Sequence, residues 1–155
     1  ESLVRELFPR ATVITPNLDE AGLLVNRTLS SPEDMERAAL DLQAQGARAV
    51  LLKGGHLPGE TVVDLLLTES GERCWMEAPR IHSPNTHGTG CTLSSATASY
   101  LALGASLAEA VLKARSYVRS ALLAGASVGT GHGSGPLNHG HSPMAMRVNV
   151  AACRH

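Results

Sequence analysis

The stretch Asn85-Thr-His-Gly-Thr-Gly-Cys-Thr-Leu-Ser94 concentrates the residue types that can do chemistry. Gly88 and Gly90, separated by Thr89, run into a small-residue segment with helical character, so the backbone N–H groups of the turn point at one place. A helix N-terminus adds its unpaired amides and the positive end of its dipole, which favours an anion there. Phosphoryl transfer needs such a feature, because charge must be held on the transferring group. Cys91 ends the turn. A helix N-terminus favours thiolate over thiol, so a proton-accepting role is chemically open to it, against the plainer alternative of a buried structural cysteine. A bare G-x-G is more often only a tight turn, and neither G-x-G-x-x-G nor G-x-x-x-x-G-K-[ST] is matched.

Other polar residues stand in unusual places. Lys53 ends the apolar run Ala49-Val-Leu-Leu52 and meets Gly54 and Gly55. At the carboxyl end of a strand in an open α/β sheet an ammonium reaches a ligand phosphate, so phosphate binding is favoured over a lysine that merely extends to solvent. Asn17 follows Pro16 and can cap a helix with Asp19 and Glu20 in its acidic first turn. Seven histidines include His132, His139 and His141, but they sit among glycines without a zinc-type spacing. Cys74 and Cys153 read as structural. Three cysteines without a C-x-x-C argue for a reducing compartment.

The elements that must position these groups follow from periodicity. Glu1 opens the sequence inside a helical segment, Ser2 to Leu7. Ala11 to Thr15 reads as a buried strand ending at Pro16. Ser31 and Pro32 start a helix whose core face is Met35, Ala38, Ala39 and Leu42, closed by Gly46. Ala49 to Leu52 is a second strand. Thr61 to Thr68 and Arg73 to Ala78 flank Glu69-Ser-Gly-Glu72 as a hairpin. A proline-containing loop, Pro79 to His87, leads to the glycine turn and a helix from Cys91 to about Leu103. Ser106 and Glu109 form a capping box for a last helix with Leu107, Ala110, Val111, Ala114, Val118, Ala121 and Leu122 on its apolar face. Gly125 to Gly140 is glycine-rich. Fully apolar strands alternating with helices predict an α/β fold with a mostly parallel sheet and helices on both faces.

Composition narrows the partners. With 43% apolar and 17% charged residues, the 155-residue chain is globular rather than disordered. A net charge of -1 gives no electrostatic footprint for nucleic acid, so phosphate must be held by local groups. Four aromatics outside histidine leave little for stacking along a nucleic-acid strand. No apolar run approaches membrane-spanning length, and a cytoplasmic location is the default expectation.

Four blocks together resemble the ribokinase-like superfamily, and within it the hydroxymethylpyrimidine/phosphomethylpyrimidine kinases. They are Thr15-Pro-Asn-Leu-Asp-Glu-Ala21, Val50-Leu-Leu-Lys-Gly-Gly-His56, Thr86-His-Gly-Thr-Gly-Cys-Thr-Leu-Ser94 and Gly131-His-Gly-Ser-Gly-Pro-Leu-Asn-His139, spread over Glu1 to His139. Cysteine at position 91, where sugar kinases of the superfamily carry aspartate, is similar to the pyrimidine kinases. The resemblance implies that Gly88, Thr89 and Gly90 give amides to the transferring phosphate and that Cys91 is the base or its equivalent. It implies that Asn17 and Glu20 help hold phosphates and Mg2+, with Glu20 toward the metal. Lys53, Arg115 and Gly131 are implied on the nucleotide side, although a solvated helix face explains Arg115 equally well.

The expected activity is ATP-dependent phosphorylation of hydroxymethylpyrimidine and its monophosphate in thiamine biosynthesis. A pyridoxal-type kinase is the alternative within kinases, and a non-catalytic nucleotide-binding module or a structural α/β domain the alternatives outside them. Residues 1–140 are expected to be the C-terminal, nucleotide-binding part of the kinase domain, with its N-terminal part missing and with 141–155 a disordered tail. Homodimer formation is left open.

Overall fold

The computed structural model describes residues 2–129 and 131–145, which form two compact units, Glu1–Arg80 and Ile81–His155. In the first unit a π-helical turn, Leu3–Leu7, runs into a 3-10 turn, Phe8–Arg10. Helix α1 (Leu18–Val25) and helix α2 (Pro32–Ala44) follow, then strands β1 (Val50–Lys53), β2 (Thr61–Leu67) and β3 (Arg73–Pro79).

Each boundary has a local cause. Asn17 caps α1 by accepting the Glu20 N–H, and Asn26 ends that helix in the left-handed region (φ 53°). Ser31 caps α2 through the Asp34 N–H, with Pro32 in the first turn. Met35, Ala38, Ala39 and Leu42 are all fully buried, as their helical spacing predicts. They pack with Phe8, Leu18, Val50, Leu52, Leu65 and Leu67 into the core of this unit. Burying one such leucine contributes about 1.5–3 kcal/mol.

The sheet corrects one expectation. Its order is β1-β2-β3 and both pairings are antiparallel, Leu52 facing Leu65 and Asp64 facing Met76. It is therefore not a mostly parallel sheet among the described strands. Residues 11–15 do not form the continuous strand that their composition predicts. Parallel pairing is confined to Ile14 beside Val50 and Asn17 beside Lys53. Ile14 N–H donates to Ala49 O (3.0 Å), and Ile14 O and Pro16 O accept from Leu51 and Lys53 N–H (2.8 and 3.0 Å). The next donor in that ladder would be the N–H of residue 16, and Pro16 has none. The hairpin forms as expected, with Gly71 at φ 83° and Thr68 bonded to Glu72 across the turn.

The second unit is a helical pair, α3 (Thr89–Ala102) packed on α4 (Leu107–Gly125). Ala110, Val111, Ala114, Val118 and Ala121 are buried on α4, and Leu93 and Thr97 on α3. The small residues of α3 permit close approach. The hydroxyls of Ser94, Thr97 and Ser99 bond back one turn, to Gly90 O, Leu93 O and Ser95 O at 3.1, 2.8 and 2.8 Å. Helix α4 starts on the capping box that its sequence predicts: Ser106 accepts the Glu109 N–H while Glu109 accepts the Ser106 N–H (3.0 Å). That bond from the Ser106 backbone holds the Glu109 carboxyl below its ordinary range. Of the expected tail, 146–155 lies outside the described residues, and Cys153 with it. Among the described residues no helix is long and apolar enough to cross a membrane.

Candidate functional site

In the first unit the predicted residues gather at the carboxyl end of β1. Lys53, half-buried, is the last residue of that strand and lies in parallel register with Asn17. Asn17 and Glu20 make a complete capping box: Asn17 Oδ1 accepts the Glu20 N–H, and Glu20 Oε2 accepts the Asn17 N–H, both at 2.8 Å. Helix capping is thus realised at both residues, and the exposed Glu20 keeps its second carboxylate oxygen outside that exchange. His56 Nδ1 approaches Asp19 Oδ2 at 3.4 Å, with both side chains more than half exposed, so the contact adds little energy.

Two residues that the sequence reading passed over shape this end of the strand. Asp64, 7% exposed on β2, faces Lys53 across the ladder and accepts the Gly54 N–H at 3.0 Å. Gly54 has to be glycine, since a Cβ there would lie 1.9 Å from Val63 O. Arg80 then organises the loop that follows. Its Nε, Nη1 and Nη2 donate to the carbonyls of Gly59, Gly55 and Leu57 at 2.7, 2.8 and 2.5 Å. The planar guanidinium spans three carbonyls that one ammonium could not. A charged residue inside the apolar run Val62 to Leu67 was the visible signal for Asp64. Nothing in the sequence marked Arg80.

In the second unit Gly88 is the N-cap of α3, in the left-handed region (φ 85°), with no side-chain cap on the helix. Helix α3 therefore begins two residues earlier than the apolar pattern suggests, and Thr89, Gly90 and Cys91 form its first turn rather than a preceding loop. The Thr89 N–H donates to Thr86 O at 3.3 Å, and first-turn N–H groups such as those of Gly90 and Cys91 have no partner within the helix, at the positive end of its dipole. Thr89 Oγ1 donates to Thr86 O at 2.6 Å and fastens the turn. Cys91 is exposed, which is not the setting of a buried structural cysteine. Cys74 is half-buried on β3.

The glycine-rich stretch lies against this turn. His87 N–H donates to Gly135 O (3.1 Å), His87 pairs in parallel with Pro136, and the hydroxyls of Thr86 and Ser134 meet at 3.3 Å. Gly131 and Gly133 take positive φ of 62° and 111° in an exposed loop. Arg115 is half-buried on α4, one residue beyond the buried Ala114. His139 and His141 surround Tyr117, whose hydroxyl lies 3.3 Å from His139 Nδ1. Among the described residues no group of three or more His, Cys, Asp or Glu is disposed to hold a metal. A magnesium ion retains several waters and accepts one or two carboxylates, so Glu20 with one uncommitted oxygen fits that ion and not a protein-caged one.

The chain resembles known proteins along most of its length. The curated hydroxymethylpyrimidine/phosphomethylpyrimidine kinase of Streptomyces coelicolor is 47% identical over 140 residues, 90% of this chain and 51% of the relative. The thiamine biosynthesis bifunctional protein ThiED of Geobacter sulfurreducens is 46% identical over 137 residues, 88% of this chain and 27% of the relative. Among solved structures, the pyridoxal kinase of Staphylococcus aureus in complex with AMP-PCP superposes with a TM-score of 0.84 at 37% identity, covering 90% of this chain and 51% of that one. The chain thus spans about half the length of the curated kinase it matches. The family model for phosphomethylpyrimidine kinase matches residues 1–138, and the chain belongs to that family.

Proposed function

We propose that this chain supplies the nucleotide and anion-hole part of a kinase that moves the γ-phosphate of ATP to the hydroxymethyl group of 4-amino-5-hydroxymethyl-2-methylpyrimidine, and then to its monophosphate, in thiamine biosynthesis. The observation that carries the reading is the exposed Cys91 in the first turn of α3, which has a left-handed Gly88 as N-cap and no side-chain cap. The acceptor oxygen bonds to the γ-phosphorus, the bond to the bridging oxygen of ADP breaks, and the hydroxyl proton passes to the Cys91 thiolate. The amides of Gly88, Thr89 and Gly90 would hold the charge that grows on the transferring phosphoryl group.

Lys53 and Asn17, at the end of β1, would hold phosphates, with Glu20 holding Mg2+ through water. The ion supplies charge neutralisation at the phosphates. Gly131 would line the nucleotide and Arg115 would lie near it. The parallel bonds of Ile14 and Pro16 to β1 support a mostly parallel, ribokinase-like sheet with helices on both faces in the whole protein. Residues 1–140 would be its C-terminal part and 141–155 a tail. A cytoplasmic location and a homodimer accord with this reading. The likeness to the Staphylococcus aureus pyridoxal kinase favours, as the second reading, a pyridoxal-type acceptor. Both acceptors carry a hydroxymethyl group on an aromatic ring.

Calorimetric titration of the 155-residue chain tests the reading. Mg·ADP should bind, and more tightly than either hydroxymethylpyrimidine or pyridoxal. Binding of a ring substrate without any binding of nucleotide would contradict it.

A further inference from the structure

The approach to the anion turn and the exit of the glycine-rich loop are fastened to one post, the C-terminal end of α4. Asn85, 4% exposed, sends both protons of its side-chain amide to carbonyls there, Gly125 O at 2.6 Å and Val128 O at 2.7 Å. From the other side Asn138 donates its backbone N–H to Ala121 O (3.2 Å) and its Nδ2 to Ala124 O (3.4 Å). The last carbonyls of a helix have no partner within it, and the asparagines bring donors to this end, where Gly125 O also accepts the Val128 N–H at 3.1 Å. Gly125 makes room for this: a Cβ there would lie 3.1 Å from Asn138 N. Between the two asparagines run the Gly88–Cys91 turn and the Gly131–Gly135 loop, already joined by the bond from His87 N–H to Gly135 O.

We infer that Asn85 is a positioning residue that holds the anion turn and the glycine-rich loop in one fixed relation, so that a nucleotide meeting one meets the other already placed. The inference rests on the proposed nucleotide reading for its purpose, but its geometry stands on the hydrogen bonds alone. A buried amide with both protons committed is a two-point fixture. Alanine removes both bonds, taking from Val128 O its side-chain donor and leaving Gly125 O with the Val128 N–H alone. Residues that touch no ligand but set the pose of those that do act through such supports.

The test is hydrogen–deuterium exchange on the 155-residue chain, wild type and Asn85→Ala, without ligand, paired with Mg·ADP titration. Exchange should accelerate on the order of tenfold in both 86–92 and 133–138, with the antiparallel sheet unchanged. Mg·ADP affinity should fall by a similar factor. Faster exchange in one segment only, in neither, or equally along the whole chain would overturn the inference, as would unchanged Mg·ADP affinity where the wild type binds. Should Asn85→Ala fail to fold, Asn85→Ser, which retains a single donor, should give the same paired pattern at smaller amplitude. A wild-type chain that binds no nucleotide counts against the proposed function and not against this coupling, which the exchange data decide without ligand.

Discussion

The carboxylate of Asp64 accepts the N–H of Gly54 at 3.0 Å, directly across the ladder from Lys53. One buried acid thereby shapes the turn that follows the lysine, in a place where a side chain on residue 54 would run into Val63 O. Gly54→Ala must move backbone, not a flexible side chain. It should cost about 1–3 kcal/mol, read as a lower midpoint in urea with an unchanged slope.

The loop after that turn depends on Arg80. In Arg80→Lys one ammonium replaces three directed donors to Gly55, Leu57 and Gly59. Amide exchange at 55–60 should accelerate while the midpoint of global unfolding moves little. Unchanged protection in this loop would show that the guanidinium does not hold it.

Stability should depend on pH through Glu109. The Ser106 backbone N–H lowers the pKa of its carboxyl in the folded chain, so folding favours the ionised form. Its contribution is therefore complete above the ordinary glutamate range and is lost as pH falls through the lowered folded value. The stability difference between wild type and Glu109→Ala should be constant at neutral pH and shrink under acid conditions. Denaturant unfolding at several pH values reads it directly.

Much of this was legible in the sequence because local rules decided it. Met35, Ala38, Ala39 and Leu42 keep helical spacing and are buried; Asn17, Ser31 and Ser106 cap where capping residues should. The hairpin declared itself through Gly71. Residues 11–15 did not, because pairing there depends on a neighbour distant in sequence and on the donor that Pro16 lacks. The start of α3 was misplaced by two residues because Thr89 and Gly90 are poor helix formers, held there by the Gly88 cap. Asn85 and Arg80 were illegible for another reason. Their partners are backbone carbonyls 40 and 25 residues away, which no side-chain pattern encodes.

The role of Cys91 is measured most directly by ATP-dependent phosphorylation of hydroxymethylpyrimidine by Cys91 variants of a full-length kinase carrying this sequence. If the thiolate accepts the substrate proton, Cys91→Ala should lower kcat by about 10²- to 10⁴-fold with nucleotide affinity nearly intact. Residual activity should survive, because backbone amides make the anion hole. Cys91→Asp should retain more activity than Cys91→Ala, and Cys91→Ser should fall close to alanine. Full activity in Cys91→Ala, with a lowered melting temperature in Cys91→Asp, would contradict the catalytic role.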